Sequence, residues 1–335
     1  MLAKIELGQQ MAAEIEQSPD VFSKRVSCTV DLEGQLDDLL AIYTIARGSS
    51  DAAANILSYE LMRELQLPVT SLPPSVFSLG TGVCLDRSAC LLISQSGASE
   101  DLVKSAHGAR SRGAKVVALT NQPGSAVQEA ADICVPINAG PELAVPATKT
   151  VIGSIAAGMA ILAAQSPDYA AICKKAAAEF ANIAGRQHPQ YETIVNGLIR
   201  SQHIYVIGRD TGLGAAQEVA LKLKECCALH AEAYSASEVL HGPLQLVTKP
   251  LTVLLLDTGL ETTTKSLDRA EDRFRASGAK VFRISPLDVG VPTLSPAASA
   301  AILLYLAYPI VRQVALALGL DPDTPHTLSK VTNTL

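Results

Sequence analysis

The chain has 335 residues, 48% of them hydrophobic and 18% charged, with a formal net charge of −6. That length suits two domains of ordinary size, and that balance describes a buried globular chain, not a disordered one. The acidic balance, the absence of Trp and the lack of any Lys/Arg run exclude non-specific nucleic-acid binding and a base-stacking platform.

Seven cysteines (Cys28, Cys84, Cys90, Cys134, Cys173, Cys226 and Cys227) include no C-x-x-C pair. They read as reduced thiols in a cytoplasmic protein, mostly core filler. The vicinal Cys226-Cys227 fits a redox device or, more simply, two buried helix residues. The histidines show no ligand spacing, so neither a metal nor another cofactor is expected. The start of the chain lacks a basic segment followed by an apolar one, so no signal peptide is expected. The apolar stretches 151–164 and 297–318 read as core helices and not as membrane spans.

In chain order, residues 1–24 carry an amphipathic helical pattern with Met11 and Ile15 on one side. Ser18-Pro19-Asp20 then predicts a break and a fresh helix start. Residues 26–38 are mixed and acid-rich. The first clear strand is 39–46, closed by Arg47-Gly48-Ser49-Ser50-Asp51, and a helix follows over 52–65. Pro68-Val69 opens a second short strand, and 90–93 is the next. That strand breaks at Ser94-Gln95-Ser96-Gly97-Ala98-Ser99-Glu100, and a helical pattern runs from Asp101 to Gly113. Residues 115–119 and 133–136 are further strands, the second followed by Asn138-Ala139-Gly140-Pro141-Glu142. Helices over 145–164 and 171–184 are broken at Ser166-Pro167, and Gly185-Arg186-Gln187-His188-Pro189 marks a linker. Near-continuous apolar strands alternating with helices predict an α/β protein with a doubly wound parallel sheet.

Beyond the linker the chain repeats itself. Ile42-Tyr43-x-Ile45-x-Arg47 is matched by Ile204-Tyr205-x-Ile207-x-Arg209. At the same offset Ala53-Ala54 matches Ala215-Ala216, and Ser75 matches Ser237. Two copies of one α/β unit follow. We therefore divide the chain into an N-terminal helical segment (1–30), a first domain (31–165), a helical linker (166–195), a second domain (196–320) and a C-terminal tail (321–335).

The serine turn after 90–93 is a strand feeding a helix N-terminus. There the first N–H groups lack intrahelical partners and the dipole favours an anion. Ser94, Ser96 and Ser99 add hydroxyl donors, and Gly97 lets the backbone approach a ligand closely. Serines also cap helices with no ligand present. The second copy carries Asp257-Thr258-Gly259-Leu260-Glu261 at this place, and a carboxylate there repels a phosphate. The anion site is accordingly assigned to the first copy alone.

The densest polar cluster of the second copy spans Lys222, Lys224, Glu225, His230, Glu232, Glu238 and His241. Glu218, Lys222 and Glu225 share one helix face. A solvated face with an ordinary ion pair has the same pattern. A base, a cation and a histidine beside Gly242-Pro243 are also the parts that moving a proton between adjacent sugar carbons requires.

Several ordered motifs carry a family resemblance. They are Ser94-Gln95-Ser96-Gly97-x-x-Glu100, Asn138-Ala139-Gly140-Pro141-Glu142 with Ala147-Thr148-Lys149, and Ala220-Leu221-Lys222-Leu223-Lys224-Glu225. His230-Ala231-Glu232-Ala233-Tyr234, Glu238-x-x-His241-Gly242-Pro243 and Asp323-x-Pro325-x-x-Leu328-x-Lys330 complete the set. Together they resemble the sugar isomerase (SIS) family, and within it the isomerase half of glucosamine-6-phosphate synthase. The resemblance implies two tandem flavodoxin-like SIS domains with parallel sheets flanked by helices. It implies that Ser50, Ser94, Gln95, Ser96 and Ser99 bind the sugar phosphate and neighbouring hydroxyls, with Val145 and the Ala147 position near the sugar. Glu225 would move the proton between C1 and C2, with Lys222 stabilising charge on oxygen. His241 would open the ring from the neighbouring subunit of a homodimer, and Lys330 would cover the sugar or form a Schiff base. Ala147 stands where the family usually has serine, and Ser329 where it usually has alanine, which leaves the sugar open.

The isomerase motifs follow almost at once on Met1-Leu2, so the synthase's glutaminase domain is not expected. The expected activity is therefore an amino-sugar phosphate deaminase, converting glucosamine 6-phosphate to fructose 6-phosphate and ammonia. An aldose–ketose isomerase, a fructosamine-phosphate deglycase and a non-catalytic sugar-phosphate sensor use much the same parts and stay open.

Overall fold

The computed structural model describes residues 7–32 and 34–330. The chain divides into two compact units. One comprises Asp20–Pro141 and Thr150–Ala181; the other comprises Glu142–Lys149 and Asn182–Lys330 with the residues up to Pro19.

Helix α1 (Gln9–Val26) is continuous, contrary to the break expected at Ser18-Pro19. Proline removes one ladder donor. Ser18 Oγ donates to the Glu14 carbonyl at 3.2 Å, and Met11, Ile15, Phe22 and Val26 are all buried. Apolar burial outweighs one missing hydrogen bond here.

The first unit alternates β1 (Ala41–Ile45), α2 (Ser49–Leu65), β2 (Val69–Ser71), α3 (Ser75–Ser78) and β3 (Ser88–Ser94). It continues with α4 (Glu100–Ser111), β4 (Lys115–Thr120), α5 (Ala126–Ala130), β5 (Ile133–Pro136), α6 (Lys149–Gln165) and α7 (Pro167–Asn182). Its sheet is parallel throughout, in the order β2-β1-β3-β4-β5. Every residue of β3 is buried, which is why that strand reads as an unbroken apolar run. One core of this unit packs Ile45, Leu92, Val116 and Ala118 against Leu102, Ala106 and Val127.

Helix α6 starts at Lys149 and not at residue 145. The buried Glu142 carboxylate accepts the Thr148 N–H at 3.0 Å, and the Val145 N–H is spent on the Asp323 carbonyl, so residues 142–148 form a strap instead of a helical turn.

The second unit holds α8 (Tyr191–Leu198), β6 (Ile204–Gly208), α9 (Thr211–Cys227), β7 (Ala231–Ser235), β8 (Thr252–Leu256), α10 (Glu261–Ala276), β9 (Lys280–Ile284) and α11 (Pro296–Ala317). Its parallel sheet runs β7-β6-β8-β9, the winding of the first unit without a fifth strand. The sequence hid β7 inside a polar cluster, because Glu232 and Tyr234 lie only half-buried along it. Helix α11 is long and apolar enough to cross a bilayer, yet 72% of its most apolar window is buried inside the protein, where it packs on α9.

Open α/β sheets bind ligands beyond the carboxyl ends of their strands, where the winding reverses. In the first unit that point lies between β1 and β3, and the loops leaving those two strands carry Ser50 and the serine turn.

Candidate active site

The first unit holds the serine turn that the sequence offers as a candidate anion cradle. Gly97 sits at φ +59°, and a Cβ there would fall 2.2 Å from Ser125 Oγ, so no other residue fits the turn. Ser94 Oγ accepts the Gly97 N–H at 3.0 Å, leaving its own proton for an acceptor, and Ser96 Oγ accepts the Ala98 N–H at 3.3 Å. Ser99 occupies the N-cap of α4 without a side-chain capping bond, so the capping role does not consume its hydroxyl. The first N–H groups of α4 point out of the helix beside it. Ser50 lies in the first turn of α2, half-buried, and Gln95 is half-buried in the turn itself. The sequence reading passed over Arg47 and Asp101, which pair across these two loops.

The matching turn of the second unit has another occupant. Asp257 Oδ1 accepts the Gly259 N–H at 2.9 Å, and Oδ2 takes Arg283 Nη2 at 2.7 Å. The carboxylate serves as the turn's own anion and Arg283 is its counter-charge, an internal pairing that the serine turn of the first unit, among the described residues, does not have.

The candidate acid–base groups gather on α9. Glu218 and Lys222 are fully buried, with Lys222 Nζ 3.6 Å from Glu218 Oε1 and hydrogen-bonded to Glu225 Oε2. Tyr308 of α11 donates to Glu218 Oε1 at 3.2 Å. Burial alone would lower the Lys222 pKa, but Glu218 and Glu225 raise it further, so the ammonium stays charged. Burial, then Glu218 and Glu142, push the Tyr308 hydroxyl well above its ordinary range. Glu225 is the open end of this row, its side chain 24% exposed. It lines a cavity of about 500 Å³ walled by Lys224, Cys226, Ala228 and residues 319–328, a volume in the range of small-molecule sites.

A second cluster surrounds the tail lysine. Lys330 Nζ donates to the Ala144 carbonyl at 2.6 Å and to buried Glu142 Oε2 at 3.3 Å. Glu14 accepts the Leu143 and Ala144 N–H groups, and its pKa is raised mainly by burial. Val145 and Ala147, both half-buried, belong to the same strap. Sequence reasoning named Glu142 in a motif without giving it a role; its contact with Lys330 needs the folded strap.

The structure thus joins Glu225 to Lys222, and Lys330 to the strap of Val145 and Ala147. It does not join His241 to either. That residue ends a short 3-10 helix (Glu238–His241), is exposed, and hydrogen-bonds to no described side chain. Cys226 and Cys227 are free, buried thiols, the first pushed up to about 12 by burial, which fits core filler and not a redox pair.

Two parallel α/β units, with a serine turn in one and a Glu–Lys–Glu row open at Glu225 in the other, fit the architecture of tandem-domain phosphosugar isomerases. The family model of the SIS domain matches residues 39–164 and 197–288, and the chain belongs to that family. It is 31% identical over 348 residues to the glutamine–fructose-6-phosphate aminotransferase (isomerizing) of Pyrobaculum aerophilum, covering 96% of this chain and 56% of that one. The chain therefore spans about half the length of that relative.

A Silicibacter pomeroyi protein assigned as a phosphosugar isomerase superposes with a TM-score of 0.82 at 33% identity, covering 94% of this chain and 99% of that one. The C-terminal domain of the Francisella tularensis glucosamine-fructose-6-phosphate aminotransferase gives 0.81 at 23% identity, covering 96% and 99%. The Thermotoga maritima glucosamine-6-phosphate deaminase gives 0.77 at 20% identity, covering 97% and 100%. These last two likenesses concern the fold alone.

Proposed function

We propose that this phosphosugar isomerase homologue is an amino-sugar phosphate deaminase, converting glucosamine 6-phosphate and water to fructose 6-phosphate and ammonia. The observation that carries the reading is Glu225: a partly exposed carboxylate on a cavity wall, backed by a lysine that two carboxylates hold in the charged form. A base that must take a proton from carbon works best with its partner cation fixed beforehand.

In this scheme the serine cradle takes the phosphate and His241 opens the ring. Glu225 removes the proton from C2 and returns it to C1, while Lys222 stabilises charge on the adjacent oxygen. The product of that shift is an imine at C2, and water hydrolyses it to the ketose and ammonia. Lys330 is assigned to the carbonyl end of the sugar, as the residue that covers it from the C-terminal tail. We assign His241 to the site of a second copy in a homodimer; its exposure without a partner supports this. Seven free thiols support a cytoplasmic location. The amino group is argued from the Pyrobaculum relative, whose name joins an amine donor to fructose 6-phosphate.

A plain isomerase is the second reading, favoured by the Silicibacter likeness over 99% of that chain. The deciding assay offers purified protein glucosamine 6-phosphate, galactosamine 6-phosphate and glucose 6-phosphate, and reads ammonia and ketose. Ammonia with fructose 6-phosphate establishes the deaminase. A ketose from glucose 6-phosphate without ammonia from either amino sugar establishes the isomerase. No product from any of them refutes both and leaves a deglycase or a sensor. Glu225→Gln should abolish turnover and leave phosphosugar binding; retained turnover removes it as the base.

A further inference from the structure

The loop leaving β1 begins with Arg47, half of a motif that the repeat duplicates as Arg209, and the scheme above gives it no task. In the second unit Arg209 spends Nη1 on the Ser235 and Ser237 hydroxyls. In the first unit Arg47 has a different partner. Its Nε and Nη2 both reach Oδ2 of Asp101, a buried carboxylate in the first turn of α4.

Asp101 is itself held, because its Oδ1 accepts the Leu102 N–H at 2.9 Å. Two of the three guanidinium nitrogens are thereby pinned. The third, Nη1, has no described partner, and the Arg47 side chain remains 48% exposed. The sheet puts Arg47 beside the serine turn. β1 and β3 pair Ile45 with Leu92, so Arg47 and Ser94 lie two residues beyond the same register position. The other charges nearby are Asp51 in the first turn of α2 and Glu100, which pairs with Lys104 on the solvent side. The hydroxyls and N–H groups of the cradle supply donors but no full positive charge.

We propose that Arg47 is the cation of the phosphate cradle, held in place by Asp101 as a positioning residue and presenting its free edge to a phosphate monoester beside Ser94 and Ser96. This rests on the cradle being the phosphate site. A guanidinium suits the task because its fixed fork holds a carboxylate with one edge and a phosphate oxygen with another. A lysine, with one ammonium, cannot keep both directions at once.

Removing Arg47 alone would strand the buried Asp101 charge, so two other variants carry the test. Arg47→Lys keeps a counter-charge, and the double variant Arg47→Met with Asp101→Asn removes both charges together. The probe is inorganic phosphate, titrated calorimetrically into purified full-length protein, with the thermal midpoint as the control for folding. Both variants should remain folded and bind phosphate about tenfold or more weakly, as loss of a charge-assisted contact requires. Phosphate affinity within twofold of the parent in either folded variant would overturn the proposal and leave the pair as a clamp between two loops.

Ser94→Ala separates this result from the reading it rests on. Weakened binding in Ser94→Ala alone sinks the Arg47 proposal and keeps the cradle. Weakened binding only in the Arg47 variants sinks the cradle as drawn, and Arg47 remains an anion ligand.

Discussion

Replacing Lys222 by Met tests the buried row on α9 most directly. The two side chains are of similar length, so the change removes a charge with little change of volume. Glu225 has access to water and can turn outward, but Glu218 is fully buried and has nowhere to go. Breaking one side of a buried pair costs about 3–5 kcal/mol, because the remaining charge is left uncompensated. The Tyr308 hydroxyl still donates to Glu218, which places the expected loss near the lower end, about 3 kcal/mol.

The pH dependence has a definite sign. In the parent, the raised Lys222 pKa means its stabilising charge is complete below the ordinary lysine range and is lost only as pH rises past the folded value. In Lys222→Met the group that titrates is Glu218, now raised by burial without a cation. The penalty is then largest at neutral pH and shrinks on acidification as Glu218 takes up a proton. The double variant Lys222→Met with Glu218→Gln removes the stranded charge and keeps an acceptor for Tyr308, so most of the loss should return. Urea unfolding followed by circular dichroism measures all three proteins. A single variant within about 1 kcal/mol of the parent, or a double variant no better than the single, would refute the coupling.

Gly97→Ala forces a Cβ into Ser125 and a side chain into the left-handed region, so stability should fall by about 1–3 kcal/mol and phosphate binding should go with it. Unchanged calorimetric affinity would count against the turn. Glu142→Gln removes the counter-charge of Lys330 but leaves an acceptor for the Thr148 N–H; turnover should drop about tenfold or more while the fold survives, and unchanged kcat would remove the contact from the mechanism. Burial pushes the Cys90 and Cys173 thiols up to about 12, whereas Cys28 and Cys84 are exposed. Alkylation near neutral pH, read by mass spectrometry, should label Cys28 and Cys84 quickly and the buried thiols only after denaturation.

The strands were legible because a parallel sheet covered on both faces needs unbroken apolar runs, and β3 and β8 have them. The serine turn was legible because Gly and Ser between a strand and a helix leave few alternatives. Pro19 misled because its helix is anchored by apolar burial on both sides of the proline, which local propensity does not count. The strap misled because its apolar residues mimic a helix start until Glu142 and Asp323 claim its N–H groups. Lys222 and Glu225 were visible as neighbours one helical turn apart. The Arg47–Asp101 and Glu142–Lys330 pairs were not, since each joins residues that only the tertiary fold brings together.

The two turns explain why duplicated units diverged in different directions. On the proposed reading, a turn that receives a ligand must leave donors unfilled, and the first copy does so with hydroxyls at Ser94 and Ser99 that the turn does not consume as donors. A turn with a carboxylate of its own has its charge supplied from within. In the second copy Asp257 takes that place and Arg283 closes the account of charge, while Asp268 and Glu271 also hold the same guanidinium. On the same reading such a turn needs no phosphate. On the proposed reading the second unit acts instead from α9, the helix after β6, with Glu218 and Lys222 buried and Glu225 at the open end of the row. A Ser94→Asp change should therefore push the first turn toward the second: phosphate affinity falls and dependence of stability on phosphate disappears. If the substituted turn still bound phosphate as tightly as the parent, the carboxylate would not be what separates the two copies.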